Sequence, residues 1–88
     1  MMSGLPAGAP GDKTPNWFTS TVSWPDYMVE SVRYQWEDVA IPWWKAFVEH
    51  CKKNGVEQIA IEEFPCQLVH NPETLWKLRN AVDPMIGM

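Results

Sequence analysis

The most constraining feature of this chain is a short apolar run that ends abruptly in two carboxylates and a proline. The run Gln58 to Ile61 is followed by Glu62-Glu63-Phe64-Pro65, and a helix start comes a few residues later at Asn71-Pro72-Glu73. Short apolar runs that alternate with helices are typical of parallel strands, whose carboxyl ends carry the polar groups of α/β proteins. The pattern therefore predicts a strand that places Glu62 at the rim of an α/β sheet.

Length and charge limit the classes of function. A chain of 88 residues forms one domain at most, and a domain of this size buries only about 60% of its unfolded surface. Its 7 basic and 11 acidic residues give a net charge of -4. This balance argues against a nucleic-acid partner, because neutralising phosphates needs an excess of Lys and Arg.

The cysteines and the lack of long apolar runs bear on location. Cys51 and Cys66 form a disulfide on one interpretation and remain two reduced thiols on the other, which we favour for a cytosolic protein. No apolar run approaches the roughly 20 residues that cross a bilayer, and the first residues do not resemble a signal peptide. We therefore expect a cytoplasmic protein without a membrane partner.

Turn residues and hydrophobic spacing divide the chain into segments of a single partial domain. Pro42 either kinks one long helix or begins a second one, and Asn71-Pro72-Glu73 combines a cap, a first-turn proline and an acidic residue. The predicted segments are 1–22 as a strand remnant and loop, 23–55 as helical, 56–64 as a strand, 71–83 as a helix, and 85–88 as the start of another strand. This order predicts βαβαβ with parallel strands and helices outside the sheet.

Several short motifs carry a family resemblance. They are Lys53-Asn54-Gly55-Val56, Ile59-Ala60-Ile61-Glu62 with Pro65 behind it, Val69 to Leu75, Leu78-Arg79, Ala81-Val82, and the earlier stretches Ser3 to Pro6, Gly11 to Trp17, Tyr34 to Trp36 and Ile41 to Trp44. Together they resemble sugar phosphate isomerases/epimerases of the xylose-isomerase-like TIM barrel class. The resemblance spans nearly all of this chain but only about a third of a barrel of roughly 250 residues. It implies an α/β fragment of a (β/α)8 TIM barrel.

The resemblance also implies a reaction and a metal. Members of this family interconvert the carbonyl and hydroxyl positions, or the stereochemistry, of a sugar or sugar phosphate in carbohydrate metabolism. A divalent ion (Mn, Mg, Zn or Co) is expected, held by a Glu at a strand end together with an Asp, a His and another Glu from later strands. Only Glu62 matches one of these ligands, so it is the implied catalytic and metal-binding residue.

Other residues near the predicted strand end are candidates for contact with substrate. Family members often carry His two residues beyond the ligand Glu, where this chain has Phe64, which we expect to stack on a sugar ring. Trp17 either covers a sugar from its loop or packs, and His70 either faces substrate or lies on a surface loop. Glu62 itself has the alternative of a solvated carboxylate, and Glu63 is expected to face solvent or to pair with a Lys.

Two functions from different classes follow. In the first, the chain is part of a metal-dependent isomerase/epimerase, is incomplete as a catalyst, and self-associates as an oligomer or docks on a complementary fragment because strand edges are left unpaired. In the second, it is a non-catalytic interaction or assembly protein that uses a Trp-rich helical face. Trp36, Trp43 and Trp44 at helical spacing are nevertheless expected to be mainly packing residues, and the helix 71–83 to turn Leu75, Trp76, Leu78 and Val82 inward.

Overall fold

The computed structural model describes residues 1–15 and 26–88, which form one long helix, one short helix and a small sheet. The elements are α1 (Asp26–Arg33), a π-helical segment (Tyr34–Ala40), α2 (Ile41–Lys53), β1 (Ile59–Ala60), α3 (Pro72–Ala81) and β2 (Ile86–Gly87). In the described part of the chain, no helix combines the length and apolar character that crossing a membrane requires.

The long helix widens immediately before Pro42. At the end of the π-helical segment, the N–H of Ile41 donates a hydrogen bond to the carbonyl of Trp36, five residues back instead of four. Pro42 has no N–H, and its ring would clash with the carbonyl of Asp38 in a regular α-helix. A π turn relieves this conflict without ending the helix, so the segment from α1 to α2 continues through the proline.

The second half of the chain is a strand, helix, strand unit. β1 and β2 pair in parallel, with Ile59 opposite Ile86 and Ala60 opposite Gly87. The predicted start of α3 is confirmed: Asn71 caps the helix and Pro72 occupies its first turn. Parallel strands need a crossover connection, and α3 supplies it.

The core lies between the helices and one face of the sheet. Its largest fully buried apolar side chains are Trp36, Trp44, Ile61, Leu68, Leu78 and Ile86. Along β1 and the residues that flank it, burial alternates: Ile59 and Ile61 are buried, whereas Gln58, Ala60 and Glu62 are exposed. One face of the sheet therefore packs on the core, and the other is open.

The predicted βαβαβ fragment of a (β/α)8 TIM barrel is wrong for this chain. The residues that the structure describes contain two strands of two residues each, in a single parallel pair, and not three successive strands. Met1 and Met2, predicted as the tail of an earlier strand, lie in no strand. The physical reason is that the apolar run is short. Charged or polar residues flank Ile59–Ile61 on both sides, so few residues of this segment are stabilised by pairing in a β-sheet.

The tryptophans are divided between the core and the surface. Trp36 and Trp44 are buried, as predicted for packing residues. Trp43 and Trp76, however, are each more than half exposed, at 52% and 54%. The prediction that Trp76 turns inward is therefore wrong, and Trp43, predicted to be mainly a packing residue, is only partly covered. Trp43 stacks on Phe47 with ring centres 4.9 Å apart, which leaves its outer face in solvent.

Candidate functional site

The candidate site is the loop from Glu62 to Asn71, which connects the carboxyl end of β1 to α3. The first residues of the chain hold this loop in place. The Val69 N–H donates to the Ser3 hydroxyl at 2.8 Å, and the Leu68 N–H donates to the Gly4 carbonyl at 3.1 Å. Ligands of parallel α/β sheets bind at this end of the strands, so the loop is where a site is expected.

Glu62 is exposed just beyond β1, after Ile61, and a hydrogen bond holds its backbone. The N–H of Glu62 donates to the Met1 carbonyl at 2.8 Å. Its carboxylate makes no hydrogen bond or ion pair within the described part of the chain. Both predicted roles, a ligand and a solvated carboxylate, are compatible with this position.

Glu63 is the residue that sequence reasoning missed. One carboxylate oxygen, Oε1, is buried and has no hydrogen-bond partner among the described residues. Glu63 is therefore only partly exposed, whereas the sequence predicted that it faces solvent or pairs with a Lys. The signal was present in the sequence, because alternation along an extended chain places residue 63 on the same face as Ile59 and Ile61. Burying an oxygen of a carboxylate without a partner is costly, which marks this position as one that a further group would stabilise.

His70 is held at the start of α3 with its ring in one orientation. Its Nδ1 lies 3.1 Å from the Gln67 carbonyl oxygen and 3.2 Å from that of Leu68. Since carbonyl oxygens only accept, Nδ1 must carry the hydrogen, and in a neutral ring Nε2 then keeps its lone pair. The N–H of His70 also donates to the Thr74 hydroxyl, which belongs to the capping box of α3. His70 therefore presents Nε2 as a fixed acceptor.

Phe64 and Trp17 are the two aromatic candidates for contact with a sugar. Phe64 is 48% exposed on the candidate loop, and its N–H faces the Val69 carbonyl at 3.5 Å. Its position leaves a ring face available for stacking. Trp17, the other predicted contact for a sugar, lies outside the described residues.

These residues alone do not provide enough ligand atoms to hold a divalent metal ion. Within residues 1–15 and 26–88, no group of three His, Cys, Asp or Glu side chains is arranged to hold a metal ion. Glu62 offers one carboxylate, and a hard divalent cation needs several oxygen ligands. The described chain by itself is therefore not a complete site for the divalent metal that the resemblance implies.

Among the cavities formed by the described residues, three open ones lie along the sheet. One of about 440 Å³ is lined by both strands and by Arg79, and one of about 460 Å³ lies between Lys52 and Asp83. A third, of about 320 Å³, lies between α2 and β1. None of the three is lined by Glu62, Phe64 or His70. The candidate residues Glu62, Phe64 and His70 thus share a loop at the sheet's carboxyl end, apart from these three cavities.

Over the described residues, the chain thus combines a long helix, one parallel strand pair joined by α3, and a loop that carries a carboxylate and an imidazole after β1. Over all 88 residues the chain is 61% identical to the uncharacterized protein YfiH of Bacillus subtilis (strain 168), and it spans 28% of that protein's length. No protein-family model matches the chain. No solved structure matches it.

Proposed function

We propose that this chain is part of a metal-dependent sugar or sugar phosphate isomerase/epimerase, in which Glu62 contributes one carboxylate to the site. The observation that carries the proposal is the position of Glu62, which is exposed just beyond the carboxyl end of a parallel strand and has no competing partner in the described residues. The resemblance of Ile59-Ala60-Ile61-Glu62 and of Val69 to Leu75 to such enzymes supports it. The relative's greater length supports the view that further residues complete the site.

The residues of this chain have distinct roles in the proposal. Glu62 supplies one ligand oxygen for a divalent cation (Mn, Mg, Zn or Co), and the remaining ligands come from residues of a longer protein. His70 accepts a hydrogen bond from a sugar hydroxyl through Nε2, because Nδ1 is occupied by the Gln67 and Leu68 carbonyls. Phe64 stacks on the apolar face of a sugar ring.

The position of the cation can be tested by paramagnetic broadening of amide NMR signals with Mn²⁺, which detects weak binding. Under the proposal, added Mn²⁺ broadens the amides of Ile61, Glu62 and Glu63 first, and Glu62→Gln abolishes this local effect. Glu57→Gln is the matched control, since Glu57 is an equally exposed acid at the opposite end of β1. Uniform broadening, or broadening around Glu62 that survives in Glu62→Gln, contradicts the proposal.

Substrate contact is tested separately in amide and ring NMR spectra. A panel of aldoses and ketoses, each with and without a phosphate group, is titrated with diamagnetic Mg²⁺ in place of Mn²⁺, because Mn²⁺ would broaden the signals of this loop. We expect shifts at Phe64 and at the His70 ring, reduced in Phe64→Ala and in His70→Ala. Shifts confined to the helices would contradict the assignment of the substrate site to this loop.

A second function is favoured by the exposed aromatic rings. Trp43 is 52% exposed and stacked on Phe47, and Trp76 is 54% exposed beside Arg79, whose guanidinium carbon lies 5.1 Å from the ring centre. Exposed tryptophans are enriched at protein interfaces, so a non-catalytic interaction or assembly role is the alternative. If a Trp43→Ser, Trp76→Ser variant loses self-association while the Mn²⁺ experiment gives no local effect, the alternative is favoured.

We place the protein in the cytoplasm as part of this proposal. Cys51 is buried and Cys66 exposed, and the two are free thiols, as we expected. Free thiols persist in reducing compartments. Trapping thiols with an alkylating reagent in intact cells, followed by mass spectrometry, tests the assignment: a Cys66 found oxidised contradicts it.

A further inference from the structure

Two neighbouring peptide units of the candidate loop contact the His70 ring. The Nδ1 of His70 lies 3.1 Å from the carbonyl oxygen of Gln67 and 3.2 Å from that of Leu68. A trans peptide unit is planar, so its C=O and its N–H point in opposite directions. The N–H groups of Leu68 and Val69, which belong to these same two units, therefore face away from the ring.

The amino-terminal segment binds both of these N–H groups. The Leu68 N–H donates to the Gly4 carbonyl at 3.1 Å, and the Val69 N–H donates to the Ser3 hydroxyl at 2.8 Å. Leu68 and Val69 are buried, so water does not readily replace either bond. Each peptide unit is thus held at its N–H by residue 3 or 4 and presents its carbonyl oxygen to Nδ1.

The amino-terminal segment is itself anchored to the long helix. Gln35, a residue of the π-helical segment that is 0% exposed, donates from its side-chain nitrogen to the Pro6 carbonyl at 2.8 Å. Between these contacts, Gly4 has a φ of +90°, a left-handed conformation that glycine adopts without strain. Specific hydrogen bonds therefore connect the long helix, through residues 3–6, to the loop that carries His70.

We propose that Ser3 and Gly4 are positioning residues that determine the tautomer of His70. By fixing the two peptide units, they keep two carbonyl oxygens at Nδ1, and a carbonyl oxygen can only accept a hydrogen bond. The proton of the neutral ring is then held on Nδ1, and Nε2 keeps its lone pair. The use of this lone pair to bind a sugar hydroxyl rests on the proposed function, whereas the choice of tautomer does not.

The tautomer can be read from nitrogen NMR spectra of the ring at about pH 8, where an imidazole is neutral. We expect the natural chain to carry the proton on Nδ1 of His70. Ser3→Ala removes the acceptor of the Val69 N–H and should make the form with the proton on Nε2 the major one. Ser3→Thr keeps a hydroxyl and should retain the natural tautomer. The ring of His50, exposed on α2, is the internal control in every spectrum.

Two glycine variants separate a local effect from general strain. Gly4→Ala and Gly11→Ala both add a Cβ to a left-handed backbone, at φ +90° and +81°, and neither Cβ comes within 4 Å of a non-neighbouring atom. The strain is therefore similar, but Gly11 lies in a separate turn outside residues 3–6. Both variants should lower the Tm by similar amounts, and only Gly4→Ala should change the tautomer of His70.

Three results would overturn the proposal. They are a proton on Nε2 of His70 in the natural chain, an unchanged tautomer in the folded Ser3→Ala and Gly4→Ala variants, and an equal change in Gly11→Ala. If Ser3→Ala does not fold, Gly4→Ala still decides the question. No sugar or metal enters this experiment, so its outcome is independent of whether the chain is part of an isomerase.

Discussion

The ammonium of Lys77 lies 4.3 Å from the centre of the Trp36 ring. This pair joins α3 to the π-helical segment, and the Trp36 side chain beneath it is 1% exposed. Partial burial lowers the pKa of Lys77, so desolvation offsets part of the attraction between the charge and the ring. The contact nevertheless gives the widened helix a defined partner in the second half of the chain.

Removing this charge should weaken the docking of α3. Lys77→Met keeps an apolar side chain of similar length over the ring but removes the cation, and we expect a loss of about 0.5–1 kcal/mol in the free energy of unfolding. Urea unfolding followed by tryptophan fluorescence measures it. Lys45→Met, at an exposed position on α2, is the control. Equal losses of unfolding free energy in the two variants would show that the charge of Lys77 does not stabilise its contact with Trp36.

The cap of α3 should contribute both to stability and to the orientation of His70. The Asn71 side chain accepts a hydrogen bond from the Thr74 N–H at 2.8 Å, and the Thr74 hydroxyl accepts one from the His70 N–H at 3.1 Å. Asn71→Ala should cost about 1 kcal/mol. Asn80→Ala, at an exposed position on the same helix, should cost little.

Chemical denaturation gives the stability of both Asn71→Ala and Asn80→Ala, and the NMR signals of the His70 ring report its orientation. We expect the ring signals to change only in Asn71→Ala. A stability loss with an unchanged ring would limit the role of the cap to the helix itself.

Two residues of α3 should differ sharply in their tolerance of truncation. Leu78 is fully buried, and Leu78→Ala should cost about 2–5 kcal/mol, a large share of the stability of so small a domain. Trp76 is 54% exposed, so Trp76→Ala should cost far less despite its larger side chain. Thermal unfolding by circular dichroism compares them. A larger loss of stability for Trp76→Ala would contradict this and would mean that the Trp76 ring is covered, for example by self-association. In that case the loss should shrink when the protein is diluted.

Local chemistry made part of this structure predictable from sequence. The start of α3 follows from Asn71 and Pro72, because the cap and the first-turn proline act through neighbouring backbone groups. The parallel strand pair was expected from the apolar run and the crossover helix. The exposed position of Glu62 after β1 follows from alternation along the strand.

Long-range relationships were not predictable in the same way. The π turn before Pro42 depends on a helix that keeps its direction for packing, whereas the sequence alone allowed a kink or a new helix. The outward rings of Trp43 and Trp76 depend on which side of each helix meets the rest of the chain. The bonds between Met1 and β1 join residues about sixty positions apart, and nothing in either segment specifies the other.

The ion pair between Lys52 and Asp83 should make stability depend on pH. Lys52 Nζ donates to Asp83 at 2.7 Å and ties the end of α2 to the turn after α3. This bond from Lys52, together with one from the Met85 N–H, holds the pKa of Asp83 below its usual value. The same bond raises the pKa of Lys52.

The sign of the effect follows from these directions. A carboxyl whose pKa is lower in the folded state binds its proton more readily when unfolded, so its contribution is complete above the unfolded pKa of about 4 and is lost as the pH falls through the folded value. The stability difference between the natural chain and Asp83→Asn should therefore be constant from about pH 7 to pH 5 and shrink below about pH 4.

Urea unfolding at each pH measures the Asp83→Asn difference, with Glu57→Gln as the control because the Glu57 carboxylate makes no ion pair in the described residues. At high pH, the raised pKa of Lys52 predicts that the stability difference between the natural chain and Asp83→Asn declines again as the pH rises above about 10. Because the Lys52 side chain is about half exposed, at 48%, 1 M salt should reduce the difference at neutral pH. No stability difference between the two proteins at any pH would contradict the prediction and would assign the role of Asp83 to its bond with the Met85 N–H, which asparagine retains.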